Sequence, residues 1–430
     1  MGSSGRFLAR RQRDTLRSVT MAERVRDQRP GLSELRRHWM LDPKVVFLNH
    51  GSFGATPLVV LGAQRRYRDQ MEAEPVRFMV RELERLIDEA RRQAADFLGA
   101  DPEGFAFVQN ATAGVNAVLR SLSLRPGDEL ITTNHEYNAS RNALDYAAEQ
   151  SGARVVIAGI PFPLSDSARV VSSIVDCFSE RTRLLLVDHI TSQTGLVLPL
   201  QSIAEKAAER GIDVLVDGAH APGMVPLDLR SLPVSWYTGN FHKWVCAPKG
   251  AGFLWSREDR RDVRPTSISH GANTTRRDRS RYWIEFDWTG TFDPTAWLAV
   301  VDAIRFVRSL FPGGWPEMIR RNRELTIRAR RLLCETLEIS PPAPEEMLGS
   351  LAAVPLPDGS AQVASALYGD PIQDALLDRY GIEVPVVAWP SPPSRVLRIS
   401  AAAYNHEGEY EYLCAALREL LAEEAKELRG

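Results

Sequence analysis

From Phe47 onward, short apolar runs alternate with longer amphipathic stretches, the pattern of an α/β protein. Phe105 to Val108, Glu129 to Thr132, Arg154 to Ala158, Leu184 to Val187 and Val214 to Val216 read as strands, each rich in branched or aromatic apolar residues. Ala113 to Ser123, Ala139 to Ser151 and Leu200 to Arg210 read as helices between them. Strands apolar on both sides predict a mainly parallel sheet covered by helices on both faces. Ligands then belong at the carboxyl ends of the strands.

After Trp297 the pattern changes. The helix-like stretch Arg320 to Leu337 runs into Pro341-Pro342-Ala343-Pro344, a stiff break. Beyond it come the helix-like Pro371 to Tyr380, the strand-like Val396 to Ser400 and a terminal helix from Glu407. The expected division is residues 31–300 as an amino-terminal segment with a large domain, and 301–430 as a smaller α+β domain. Residues 1–30 differ, with eight arginines against Asp14, Glu23 and Asp27 and little apolar material, which predicts disorder. This leader lacks the apolar core of a secretory signal. Its arginine and serine content suits an organelle transit peptide, Met21 offers an internal start, and Gly2-Ser3-Ser4-Gly5 reads as a vector remnant.

A length of 430 residues suits two domains, and 44% apolar with 25% charged residues is ordinary for a soluble protein. A net charge of -2 argues against nucleic acid or a membrane surface as the main partner, and no apolar run approaches a membrane span. Cys177, Cys246, Cys334 and Cys414 lack metal or disulfide spacing, which suits a reducing compartment, so the expected location is the cytoplasm.

Only five lysines stand against 48 arginines, and one is Lys243, in Gly239-Asn240-Phe241-His242-Lys243-Trp244. Guanidinium cannot be deprotonated in a protein, whereas a lysine amine can, so Lys243 is a candidate Schiff-base nucleophile. The plainer reading is arginine-biased coding with a lysine stem packed on an indole. Asp217 directly follows the apolar run Val214-Leu215-Val216, and His220 lies three residues later. That segment also has the composition of a turn. A metal site joining Asp217, His220, Asp188 and His189 lacks any recognised ligand spacing, so no metal is expected. A strand-end carboxylate, a histidine and a later His-Lys pair together supply what pyridoxal phosphate demands: an amine, an acid for the ring nitrogen and a donor for the phenolic oxygen.

Further segments carry a resemblance. Leu48-Asn49-His50-Gly51-Ser52-Phe53-Gly54-Ala55, Glu74-Pro75-Val76-Arg77-Phe78, Asn110-Ala111-Thr112, Asp217-Gly218-Ala219-His220-Ala221-Pro222-Gly223, His242-Lys243-Trp244, Thr289-Gly290-Thr291 and Arg398-Ile399-Ser400 occur in the order of one family. From Phe47 to its end the chain resembles the class V aminotransferases, fold type I pyridoxal phosphate enzymes, and especially their isopenicillin N epimerase branch. The resemblance implies a Schiff base on Lys243, which then serves as acid/base at Cα. It pairs Asp217 with the pyridine nitrogen and His220 with the phenolic oxygen. Gln109 to Gly114 joins a strand to a helix, where backbone N–H groups and the helix dipole favour an anion. A threonine there is equally an ordinary cap. By resemblance Ala111 and Thr112 hold the phosphate, helped by His242, while Thr291 reaches the phosphate of the neighbouring subunit in a homodimer. Tyr137 matches the stacking aromatic, and Ser192 approaches the phenolic oxygen. Strand alternation alone makes Arg398 a solvated-face residue. Its match to the family's carboxylate-binding arginine implies an amino-acid substrate, with Asn49 and His50 lining the same pocket.

The sequence carries the first half of a mechanism, since the same cofactor supports transamination, racemisation and β-elimination. Cysteine desulfurases need a nucleophilic cysteine shortly before that arginine, and residues 381–395 contain none. Two departures from the epimerase branch, Phe292 in place of an arginine and Ala402 in place of a glutamine, predict a less polar substrate environment. The expected activity is β-elimination from an S-substituted cysteine, with epimerisation or transamination as alternatives. A cofactor-binding scaffold without catalysis is opposed by the four chemical groups Asp217, His220, Lys243 and Arg398. A Rossmann dehydrogenase is opposed by the lack of Gly-x-Gly-x-x-Gly after the first strand.

Overall fold

The computed structural model describes residues 25–359 and 369–427. Most of the leader, whose disorder was the expectation, lies outside the described residues. Its last part packs: Val25 lies against apolar core, and the Arg29 guanidinium donates to the Pro43 carbonyl at 3.0 Å.

The seven strands of the main sheet are β1 (Phe105–Val108), β2 (Glu129–Thr133), β3 (Arg154–Ala158), β4 (Thr182–Asp188), β5 (Asp213–Gly218), β6 (Trp236–Asn240) and β7 (Gly252–Ser256). Their order is β1-β7-β6-β5-β4-β2-β3, with β7 antiparallel to both neighbours and every other pairing parallel. Each strand is short because both its faces must be covered. Helices α1 (Leu58–Ala73), α2 (Leu83–Phe97), α3 (Ala111–Ser121), α4 (Asn138–Ser151) and α5 (Leu200–Ala208) surround it. The two-residue period of the strands sorts their side chains. Phe105, Phe107, Leu185, Val187, Val214 and Val216 pack with Leu83 and Ile87 of α2 and Ile203 of α5. Ala106, Val108, Leu184, Leu186 and Leu215 meet Val115 and Val118 of α3 and Leu144 of α4 on the other side. The expected helix from Ala113 thus begins at Ala111, because Asn110 caps it by accepting from the Ala113 N–H.

The smaller layer is an antiparallel sheet of β8 (Leu351–Leu356), β9 (Val386–Ala388) and β10 (Arg395–Ser400), with β10 in the middle. Against it lie α6 (Gly314–Leu337), α7 (Pro371–Tyr380) and α8 (Glu407–Glu427). Helix α6 starts six residues ahead of its expected first turn at Arg320. Val300, Val307 and Met318 still belong to the large core, and the small core begins at Leu325, so the expected division at residue 300 falls ahead of the change of core. The small core also takes in Val46 and Leu48, because Val46 and Phe47 pair in parallel with Ile382 and Glu383.

Two local features bear on the site. Gly54 has φ +70°, and a Cβ there would stand 2.0 Å from the His242 carbonyl oxygen, so the turn after His50-Gly51-Ser52-Phe53 seats directly on the backbone beside Lys243. On a separate side of the large domain, the fully buried Arg91 donates to Asp287 at 2.5 Å and to Asp88 at 3.3 Å, while Arg279 binds the same two carboxylates at 2.7–2.9 Å. The Trp283 ring lies within 4.2 Å of the Arg91 guanidinium and 5.2 Å of that of Arg279.

Candidate active site

A cavity of about 580 Å³ opens at the carboxyl ends of the parallel strands. Lys243, Asp217, His220, Thr112, Ala111, Tyr137, Ser192 and His242 all line it. Of the other expected residues, Asn49, His50 and Arg398 do not line it, although Arg398 is hydrogen-bonded to the lining residues Ser52 and Ser192, and Thr291 is exposed outside it.

Lys243 lies on the loop after β6 with its amine 3.0 Å from His220 Nε2. Burial first, then the nearby Arg398 charge, brings its pKa down to about 7, against the smaller opposing pull of Asp217 and Asp188. The amine is therefore available unprotonated near neutral pH. His220 is held neutral, chiefly by burial and next by Lys243. Its Nδ1 accepts from Trp244 Nε1 at 3.4 Å, which assigns the hydrogen to Nε2, on the cavity side.

Asp217 ends β5 and is buried, accepting from Ser140 Oγ at 2.7 Å and the Ala219 N–H at 3.0 Å. Burial raises its pKa while these two donors work against the rise. It has carboxylate neighbours. Asp188 ends the adjacent β4 directly opposite it in register, and Asp188, Glu136 and Asp217 bring one oxygen each within 4.8 Å of one another. Burial and then mutual repulsion hold both Glu136 and Asp188 well above the usual carboxylate range. The repulsion of two full charges at 4 Å is about 4 kcal/mol at an effective dielectric near 20. The histidines once weighed as metal partners are turned to other work: His189 Nδ1 meets Tyr237 OH at 2.7 Å, and His220 serves Lys243 and Trp244.

At the start of α3, the Ala111 N–H is taken by Asn240 Oδ1 at 2.9 Å and the Ala113 N–H by Asn110 Oδ1 at 2.9 Å. Of the two residues expected to meet a phosphate, Thr112 thus keeps the available group, and Ala111 contributes the helix end. His242 Nδ1 donates to the Ala251 carbonyl at 3.1 Å, and burial holds its pKa near 4, so its Nε2 carries a lone pair until an anion draws a proton there.

Arg398 is 5% exposed, at odds with the solvated face its alternation predicts, because β10 is the middle strand and buried along its whole length. Its guanidinium donates to the Ser192 carbonyl at 2.5 Å, Ser52 Oγ at 2.9 Å and Asn49 Oδ1 at 3.4 Å. Asn49 also donates to Glu383 at 3.0 Å. Both ring nitrogens of His50 are engaged, by Tyr404 OH at 2.7 Å and the Lys243 carbonyl at 3.0 Å. Asn49 and His50 therefore support the cavity from behind and do not line it. Of the two departures noted in the sequence, Phe292 does line the cavity, with its ring 4.6 Å from that of Trp297, whereas Ala402 is buried with Trp39, Ala55 and Tyr404.

The donor set fits pyridoxal phosphate: a buried amine of lowered pKa, a strand-end acid, an N–H donor and an anion-binding helix end around one cavity. Fold and site together define a fold type I enzyme that uses this cofactor. The aminotransferase class-V model matches residues 45–413, and the chain belongs to that family. It is 36% identical to isopenicillin N epimerase of Streptomyces clavuligerus over 91% of this chain and 98% of that one. L-cysteine desulfhydrase of Arabidopsis thaliana is 26% identical over 88% of each chain. Among solved structures, the cystine C–S lyase C-DES in complex with its product cysteine persulfide superposes with a TM-score of 0.72, at 23% identity over 87% of this chain and 97% of that one. A variant of C-DES carries glycine covalently linked to the pyridoxal phosphate cofactor, with a TM-score of 0.73 at 22% identity over 89% of this chain and 98% of that one.

Proposed function

We propose that this protein is a homodimeric carbon–sulfur β-lyase acting at Cα of an S-substituted cysteine. The observation that carries the reading is Lys243, an amine of pKa about 7 on the cavity wall beside Asp217 and His220. Elimination needs one base on one face of the substrate, and Lys243 is that base. Bound pyridoxal phosphate supplies the electron sink that acidifies the Cα proton. The chain does the rest. Lys243 would hold the cofactor covalently and, once the substrate amine has displaced it, would be free as an amine to take the Cα proton. Asp217 would keep a proton on the ring nitrogen, and His220 Nε2–H would serve the phenolic oxygen, with Ser192 close by. Thr112, the α3 end and His242 would hold the phosphate, and Tyr137 would pack against the ring. Arg398, preset by Ser192, Ser52 and Asn49, grips the substrate carboxylate with its planar fork.

Relatives named for carbon–sulfur cleavage support this chemistry. No cysteine lines the cavity among the described residues, and Cys246, the one near Lys243 in sequence, is pushed up by burial to about 12, which disfavours persulfide chemistry on the enzyme. The homodimer is supported by the exposure of Thr291 next to the cavity-lining Phe292 and Asp293, and by exposed apolar Phe53, Leu58 and Val59 near the same rim.

A second reading, amino-acid epimerisation, is favoured by the 36% identity to the Streptomyces clavuligerus epimerase. A panel of S-alkyl-cysteines and both enantiomers of larger amino acids in deuterated water separates them. Pyruvate and thiol in stoichiometric amounts support the lyase. Solvent deuterium at Cα with inversion and no pyruvate replaces it with the epimerase.

A further inference from the structure

Asp217 does not stand alone. It shares a buried cluster with Asp188 and Glu136, three carboxyl groups with one oxygen each inside 4.8 Å. They are 2%, 2% and 6% exposed for Asp217, Asp188 and Glu136, so water does not screen them. Their partners differ. Asp217 has two donors, Ser140 Oγ and the Ala219 N–H. Glu136 receives Thr132 Oγ1 at 3.1 Å on one oxygen, while its Oε1 is buried without a partner. Asp188 likewise leaves Oδ2 buried without a partner.

We infer that Glu136 and Asp188 are carboxylic acids in the working protein, and that as positioning residues they leave Asp217 as the single carboxylate at the ring-nitrogen end of the cavity. A carboxylate is stabilised by donors, and Asp217 takes one on each of its oxygens, whereas Glu136, served by Thr132 and the Tyr137 N–H, and Asp188 each leave one oxygen with none. An oxygen that accepts nothing is the natural seat of a proton, which turns an orphaned acceptor into a donor directed at the remaining charge. The surrounding cations do not suffice to ionise all three. Lys243, which favours the charged forms of Asp188 and Asp217, has its own pKa lowered to about 7, and Arg141, the cation that favours the charged form of Glu136, is the weakest influence upon it. Facing groups from the neighbouring strands are neutral: His189, held near 4 by burial, and Tyr237, pushed well up by burial and Asp217. Proton count is thereby fixed by architecture, since aspartates stand at paired register positions at the carboxyl ends of β4 and β5.

The inference rests on the assignment of Asp217 to the ring nitrogen, but its test reads protonation directly. Infrared spectra of the cofactor-loaded protein at neutral pH, in water and deuterated water, are compared for wild type, Glu136→Gln and Asp188→Asn. These amides imitate the protonated acids in shape. A protonated-carboxyl C=O band in wild type, deuterium-sensitive and diminished in each variant, is the expected result. Absence of that band, or its persistence unchanged in both variants, overturns the inference. A second readout is the pH titration of cofactor absorbance. Its midpoint should stay within about 0.3 pH unit of wild type in both amide variants, because no charge is removed; a move of about one unit or more means that a charge was present, and also overturns it. Failure of the Asp217 assignment would look different: Asp217→Asn would then leave the cofactor spectrum and titration as in wild type, whatever the infrared bands show.

Discussion

Two groups of buried charge sit in the large domain, and they are built on opposite plans. Around Trp283, Arg91 and Arg279 face Asp88 and Asp287, two cations against two anions, held by several hydrogen bonds of 2.5–3.3 Å. At the cavity, Glu136, Asp188 and Asp217 crowd together with Lys243 as the nearby amine. The first group is balanced, each charge facing partners of opposite sign. The second is unbalanced, so its members shift in pKa instead. Imbalance costs stability, and a fold that keeps it does so where chemistry needs a group able to change its charge.

The largest effect that would sharpen this contrast is Lys243→Ala, which should lower turnover by roughly 10⁴-fold and leave the cofactor removable by dialysis, as followed by absorbance. Next, Arg91→Met should lower unfolding free energy by about 1–2 kcal/mol in urea titrations while turnover per folded molecule is kept, because it removes a buried guanidinium and its bonds to the partly buried Asp88 and Asp287 outside the site. Equal loss of turnover in that variant would break the division between structural and chemical charge. Arg398→Lys should reduce kcat/KM by about 100-fold, since an ammonium cannot reproduce the two parallel bonds of the fork. Ser140→Ala, which removes one of two donors to Asp217, should weaken cofactor binding by about tenfold in equilibrium titrations. The smallest change is one of condition. Only the unprotonated amine attacks an aldehyde, and Lys243 is lowered to about 7, so cofactor capture by the stripped protein should rise with pH through about 7 and then level off. A rise that continues to pH 10 would mean an ordinary lysine.

The sequence disclosed the strands whose apolar runs are unbroken, such as Leu184 to Val187. It did not disclose β6 and β7. Gly239 and Gly252 interrupt them and lower strand propensity, yet both are required by contact: a Cβ on Gly239 would meet the Phe253 ring at 2.7 Å, and one on Gly252 would meet the Asn110 backbone at 2.7 Å. In the site, Asp217 and Lys243 were legible because they end or follow a strand in a strongly biased composition. Asp188 carried the same signal, an aspartate straight after an apolar run, and was considered only as a metal ligand. Ser140 and Asn240 were silent, since a serine on a helix and an asparagine at a strand end gain meaning only when β5 and α3 are placed beside them. Arg398 was misjudged by alternation because periodicity reports which face a residue is on, not whether that face is covered.

The short amino-terminal passage from Val46 to Gly54 acts as a rivet. One end donates backbone hydrogen bonds to the Gly381 and Glu383 carbonyls of the lesser lobe; the other holds the Lys243 carbonyl through His50 and abuts the His242 carbonyl at Gly54. Between them, Asn49 and Ser52 grasp Arg398. A tilt of the lesser lobe would reach both Arg398 and Lys243 through this one continuous stretch of backbone, so that, under the proposed function, gripping the substrate and aligning the lysine would be mechanically a single event.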